Sequence, residues 1–347
     1  VETASCFYFT YYLNRAGDFD SERTLLREEV KLGKKDLALK SYLSDPMRYA
    51  DVYNGSVFGG AQILDGAQLE EAGTAVLKSE GDVSLERTCD MAMRQKTEGG
   101  LFALWILENQ EYVDYGMPVR VLLREALEYD RQIRELMRKN DTEFREKGHE
   151  KIGAGEYLYK VRKGDRIRPV ATLVIYWGNR PWDGPRSLHE LLDFGSAKPG
   201  AARELRGLTP EYPLHILDLN EENDYSSFRT SLRTVFELYA RRADKERFLE
   251  YVESHDECRH LDQETYNVIG QMIHSEILQN TTDARKNVKE ERDMCQAIDD
   301  LIEDGRAEER ISIIGSIVKK LCCTVEEACE VAGISVQEYQ QAVGRQA

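Results

Sequence analysis

The chain is poor in the residues that build special cases. Its seven cysteines in 347 residues are sparse and odd in number, Cys322 and Cys323 are adjacent, and no C-x-x-C pair occurs. This excludes a disulfide-built scaffold and reads as a reduced, cytoplasmic chain. With eight prolines, no internal repeat and no low-complexity tract, collagen-like and disordered classes fall away. No apolar run approaches the ~18–20 residues that a membrane-spanning helix needs, so no membrane partner is expected. P-loop, G-x-G-x-x-G and G-x-S-x-G motifs are missing too, which removes the usual support for a nucleotide cofactor or a serine hydrolase. The opening VETASCFYFTYYL has no basic stretch before its short apolar patch, which argues against a secretory signal. Residues 1–30 are left as an unassigned extension.

Positive charge is also in deficit. Lys and Arg number 47 against 63 Asp and Glu, a formal net charge of −16. Sequence-independent coating of nucleic acid is therefore disfavoured. The deficit is uneven. Residues 151–186 hold eight Lys/Arg against three acids, whereas residues 281–310 hold six against ten. A local basic cleft stays compatible with an acidic chain.

What is present is a mixed pattern. Asp45 and Pro46 mark a helix restart within residues 36–53. The apolar run Leu101–Leu107 predicts a central strand, Pro118 opens a long helix to about residue 139, and residues 169–177 and 212–219 predict two further buried strands. Beyond about residue 225 the pattern is helical. The fold class expected is mixed α/β: a central mixed β-sheet flanked by helices over residues 31–225, then an α-helical C-terminal region over 226–347. Within that region, residues 321–345 read as helix, Gly333 turn, Ser335 N-cap and helix. This helix-turn-helix-like hairpin is acidic, so it reads as a packing or oligomerisation module rather than a DNA reader.

The chemistry is read from a hairpin. Directly opposed residues in an antiparallel pair have a constant index sum. A three-residue loop Glu98-Gly99-Gly100 pairs Thr97 with Leu101, a sum of 198, and Asp90 with Glu108 gives the same sum. A two-residue loop would change it by one. On that register the two carboxylates face each other about 5 Å apart. Like charges so placed need a shared proton or a cation between them. A hard divalent ion such as Mg²⁺ needs only one or two carboxylates. Gln110, two residues on, shares the face and can orient a water or a phosphate oxygen. Such an acid–acid–amide group suits metal-assisted phosphodiester hydrolysis. The alternative is that Glu108 is merely the first solvated residue of a strand end and Asp90 a surface acid.

The pattern D-(x17)-E-x-Q, carried by Asp90 and Glu108-Asn109-Gln110, resembles the PD-(D/E)XK nuclease superfamily. Within it the chain looks most like the recombination-promoting nucleases, the Rpn family, also labelled transposases. The resemblance runs from about residue 34 to the C-terminus. It includes the Asp-x-x-x-Lys helix (Asp36, Lys40), RYADVYNG, ENQ followed by MPVR, PVATLVIYWG, and the tail DLIEDGRAEER with TVEEACEVAGISVQEYQQA. It implies a restriction-endonuclease-like core and a DNA endonuclease using Mg²⁺, Mn²⁺ or Ca²⁺. It also implies metal ligation by Asp90, Glu108 and the carbonyl of Asn109, with Gln110 where the superfamily usually has Lys. A further acid from the first helix is implied, Asp36 or, as the alternative, Asp51. DNA is then the expected partner, with a homodimer as a common arrangement of such enzymes. A degenerate nuclease fold used for binding, or a nuclease acting on RNA, are the competing readings.

Two basic features are candidate DNA contacts. At 100° per residue, Arg120, Arg124, Arg131, Arg134 and Arg138 share a sector of about 80° on the helix after ENQ. Leu122, Ala126, Tyr129, Ile133, Leu136 and Met137 lie opposite, as an expected core face. Of the row, Arg120, Arg124 and Arg131 are the contacts named; the alternative is a solvated face neutralised by Glu128 and Glu135. The segment KVRKGDRIR supplies Lys160, Arg162 and Lys163, which could equally be a charged surface loop. His255, Cys258 and His260 form H-x-x-C-x-H, but no fourth zinc ligand has convincing spacing. Trp105, Trp177 and Trp182 are read as packing residues.

Overall fold

The computed structural model describes residues 36–72, 77–78, 86–87, 90–98, 100–148, 152–195, 200–221, 223–273, 293, 294, 298, 311–319 and 324–346. The extension at residues 1–30, Gly99 of the hairpin loop and the DLIEDGRAEER segment lie outside the described residues.

Helix α1 (residues 36–43) ends one turn before α2 (Pro46–Ser56). The restart follows from chemistry. Asp45 accepts hydrogen bonds from the backbone N–H groups of Met47 and Arg48, and Pro46 fills a position whose N–H would have no partner. Five strands then form one sheet in the order β1 (Leu69–Glu71), β2 (Met91–Thr97), β3 (Gly100–Gln110), β4 (Val170–Tyr176) and β5 (His215–Asp218). The first three run antiparallel, and β3–β4 and β4–β5 are parallel pairs. A separate two-stranded ribbon pairs Leu77–Lys78 with Glu86–Arg87. The expected mixed sheet flanked by helices, with helices after it, is the architecture found.

Alternation along β3 sends its side chains to two faces. Ala103, Trp105 and Leu107 join the main apolar cluster with Leu39, Leu43, Tyr49 and Tyr53 of α1 and α2. Leu104 and Ile106 face the other way, toward Tyr129 of α3 (Met117–Lys147). Both faces are therefore covered, which explains why β4 is buried along almost its whole length. Two tyrosines lock α2 onto β3: the Tyr49 hydroxyl donates to the Trp105 carbonyl at 2.7 Å and the Tyr53 hydroxyl to that of Ile106 at 2.6 Å.

The core does not stop at residue 225. Leu232, Val235, Phe236 and Tyr239 of α6 (Leu232–Arg241) share the main cluster with the sheet, as do Tyr251 of α7 (Lys245–Ser254) and Tyr266 and Ile269 of α8 (Gln263–Met272). (Helices α4, Ala154–Tyr159, and α5, Ala201–Leu208, precede them.) Cys258 is also buried in this cluster. Helix α9 (residues 311–319) and the hairpin α10 (Val325–Ala332) and α11 (Val336–Gln346) form a small apolar cluster of their own around Ile314, Ala328 and Cys329. Gly333 adopts φ 67° between them, the left-handed turn that glycine accepts. Ser335 caps α11 by accepting the N–H of Glu338.

Asp51 ties the two halves of the main core together. It is buried on α2, and its carboxylate accepts from the N–H groups of Arg229 and Thr230 and from the Thr230 hydroxyl, at 2.7–3.0 Å. Asp51→Ala would strand these donors, so it is expected to cost about 2–3 kcal/mol as read from the midpoint of urea unfolding. A loss below half a kilocalorie would show that water replaces the carboxylate.

Candidate functional site

The site forms where β2 begins and β3 ends. From Met91↔Leu107 to Gln95↔Ala103 the pairs keep the expected index sum of 198. The expected loop is not the one found. At the tip, Thr97 pairs with Gly100 and Lys96 with Leu101, and the register shifts between Gln95 and Lys96. The turn is thus one residue shorter, and a bulge that leaves Phe102 unpaired restores the register. The site-end register survives because the bulge compensates the shorter turn.

Asp90 lies one residue beyond the last paired rung. Its N–H donates to Oε1 of Glu108 at 3.3 Å, and its own Oδ2 accepts from the N–H of Asn109 at 2.9 Å. Each carboxylate therefore holds a backbone group of the opposite strand, Asp90 turning toward Lys40 of α1 and Glu108 toward Arg124 of α3. Gln110 closes β3 on the same face as Glu108, half-buried.

Three cations surround the pair, from both layers. Lys40 of α1 places Nζ 2.9 Å from Asp90 Oδ1 and 2.6 Å from Asp36 Oδ2. Arg124 of α3 pairs directly with Glu108 Oε1, and both side chains are only 1% exposed. Arg120 lies 3.7 Å from Glu108 Oε2 and 2.9 Å from Asp114. Burial lifts the Glu108 carboxyl to about 7; Arg124 pulls against this, the charge of Asp90 adds to it, and Arg120 opposes it. Burial lowers the pKa of Lys40, but its bonds to Asp36 and Asp90 outweigh that and raise it.

Other candidates fall elsewhere. Asp51 is consumed as the anchor of the segment leading into α6. Asp36 reaches the cluster through Lys40. Arg131 pairs with Glu128 and Glu135, and Arg134 with Asp130. Lys160 and Arg162 pair with Asp141 and Glu143 near the far end of α3, and Lys163 is exposed beside them. Because β4 runs from Val170 opposite Leu104 to Tyr176 opposite Gln110, the basic segment before it sits at the end of the sheet remote from Asp90 and Glu108. From Arg120 to Asp141 along α3 is about 30 Å.

The core face expected for α3 is also corrected. Ala126 and Met137 are exposed, whereas Arg124, Glu125, Glu128, Gln132 and Asn140 are buried. The reason lies in the irregular chain entering β4, whose backbone groups need partners. The Tyr129 hydroxyl accepts from the N–H of Val170, Gln132 bonds both backbone groups of Arg168, and Asn140 donates to the carbonyl of Lys160. The contact of Lys40 with Asp90 has no counterpart in the sequence reading, and Arg124, expected as a DNA contact, is instead buried on Glu108. The only signal for Lys40 was its i, i+4 spacing from Asp36.

Whether this group can hold a cation turns on its oxygens. Among the described residues no set of three or more His, Cys, Asp or Glu converges as a metal site. Asp90 and Glu108 each bond the backbone of the other's strand at this end of the hairpin, and Mg²⁺ needs only one or two carboxylates from the protein. In an extended strand a residue's N–H and C=O point to the same side. The Asn109 carbonyl therefore faces the same open edge as its N–H, where β2 has not yet begun. The Asn109 amide beside it is 8% exposed, and neither of its polar atoms has a partner. The donor set, Asp90, Glu108 and the Asn109 carbonyl, is all oxygen. It fits a hard divalent ion, provided Lys40 yields its place on Asp90. Compared with known proteins, the chain matches no family model, no curated protein and no solved structure. Among the described residues no helix is long and apolar enough to cross a membrane.

The buried pair gives a pH-dependent expectation. Arg124→Met leaves Glu108 buried without its closest cation and is expected to cost about 3–5 kcal/mol at pH 8. Since the folded-state pKa of Glu108 is raised, its contribution to stability is present below about 4.5 and is lost as pH rises through about 7. The variant's deficit should therefore shrink at pH 5.5, where Glu108 is protonated. Urea unfolding at both pH values checks this, and an equal deficit at each would place the charge of Glu108 outside the effect.

Proposed function

We propose that the chain is a divalent-metal-dependent DNA endonuclease built on a restriction-endonuclease-like core of the Rpn type. The observation that carries this reading is the reciprocal bonding of Asp90 and Glu108 across the end of a hairpin in a buried mixed sheet. Asp90, Glu108 and the Asn109 carbonyl would hold the ion, Mg²⁺ by the donor chemistry. When bound, it supplies a Lewis acid for the phosphodiester and makes a neighbouring water more acidic.

The remaining work belongs to side chains. Arg124 keeps Glu108 in place from inside the protein. Arg120 is partly exposed at the mouth, where it can leave Asp114 and meet a phosphate. Gln110, on the same face, has an amide able to orient the attacking water. Lys160, Arg162 and Lys163 would contact a duplex only if it runs the length of α3, a span of about nine base pairs at ~3.4 Å each. Their pairing with acids makes Arg120 the stronger candidate.

A second reading is favoured by one observation. Both Asp90 oxygens and Oε1 of Glu108 already face protein donors, as they would in a nuclease fold retained for binding alone. Plasmid nicking with Mg²⁺, Mn²⁺ or EDTA separates the two. The expected result is metal-dependent nicking, reduced at least a hundredfold in Asp90→Ala and in Glu108→Gln. Nicking that is equal in wild type and variants, or absent with every ion and on RNA as well, would hand the case to the binding protein. Arg120→Ala should weaken DNA association and flatten its salt dependence by about one charge.

A further inference from the structure

Lys40 differs from the other cations of the cluster. Arg124 is buried and fixed on Glu108, whereas the side chains of Lys40, Asp36 and Asp90 are 29%, 37% and 25% exposed. We propose that Lys40 is an exchangeable counter-ion: its ammonium occupies Asp90 until a divalent cation takes Oδ1, and Asp36 then retains it. The proposal rests on the metal reading of Asp90 and Glu108 and adds to it a control on ion affinity.

The geometry supports exchange rather than permanent blockage. On Asp90 only one bond, Nζ to Oδ1, must be given up, because Oδ2 is held separately by the N–H of Asn109. Lys40 does not become unpaired when it leaves. Asp36 is one helical turn before it on α1, already at 2.6 Å, and moves with the same helix. An ammonium on a flexible four-carbon stem suits such a move better than a rigid guanidinium fork would. On this account Asp36 is a positioning residue that acts through Lys40, not a ligand of the ion.

Mn²⁺ titration of the full chain by calorimetry, without nucleic acid, tests the proposal. Lys40→Met is expected to tighten Mn²⁺ binding about tenfold, within the usual range for coupled sites. Lys40→Arg keeps the charge and should bind no tighter than wild type. Asp36→Asn should weaken binding several-fold by leaving Lys40 to Asp90 alone, and should have no effect in the Lys40→Met background. Should Lys40→Met fail to fold, judged by circular dichroism, Lys40→Gln replaces it.

Unchanged or weaker Mn²⁺ binding without the ammonium would overturn the proposal. So would a loss on Asp36→Asn that persists in the Lys40→Met background, since Asp36 would then be a direct ligand. No Mn²⁺ binding in any variant would sink the counter-ion and the metal site together. The parent reading is tested apart: wild type that binds Mn²⁺ and nicks DNA, with affinity untouched by Lys40→Met, keeps the nuclease and loses the counter-ion. Tighter binding in Lys40→Met with no nicking by any form keeps the counter-ion and loses the nuclease.

Discussion

Two carboxylates held at one end of a buried sheet cannot both stay ionised without positive charge beside them, and the arrangement around Asp90 and Glu108 follows from that requirement. The hairpin brings both acids to one end of the sheet, where each binds a backbone N–H of the opposite strand. The fold then supplies cations from two directions, Lys40 from the α1 layer and Arg120 and Arg124 from α3. Even so, burial leaves the Glu108 carboxyl near neutrality in its affinity for a proton. A group so poised gains more from an added cation than an exposed carboxylate does, since desolvation has removed the competing water.

The same requirement explains the unusual packing of α3. A helix that only covered a sheet would turn its leucines and isoleucines inward. This one turns Arg124, Glu125, Glu128, Gln132 and Asn140 inward instead. Its first turns must bring a guanidinium to Glu108, and its later turns must satisfy the backbone that leads into β4. Rotating the helix to bury Ala126 and Met137 would strand Glu108 as an unpaired buried charge, a loss of several kilocalories per mole. Polar service of the sheet outweighs the apolar stripe.

That balance marks how far the sequence could be read. Strands β3 and β4 were legible because seven-residue apolar runs bounded by glycine have few other uses, and the α2 start was legible from Asp45 and Pro46 alone. The register that carries Asp90 to the end of β3 was legible through the index sum, which holds from Met91↔Leu107 to Gln95↔Ala103, although the loop assumed for it was not the one formed. A bulge at Phe102 is invisible to residue counting, because it trades turn length against strand length and leaves the sum unchanged. The face of α3 was misread because periodicity weighs apolar residues and gives no credit for a charge that a buried partner demands. Asp51 read as a site acid for a similar reason: its partners, Arg229 and Thr230, are 178 and 179 residues away along the chain.

Arg124 and Lys40 are not equivalent as cations on the carboxylates, and the difference is one of burial and chemistry. Arg124 is buried and fixed on Glu108, so its charge is part of the folded state. Displacing it would expose Glu108 to the full cost of burial. Lys40 stands at the surface with a second acid within reach, so its attachment to Asp90 can be surrendered while its charge stays paired. On the proposed reading, Arg124 stays on Glu108 while Lys40 yields Asp90 to a metal ion and keeps Asp36 as its partner. A purely structural ion pair has no need of the second acid.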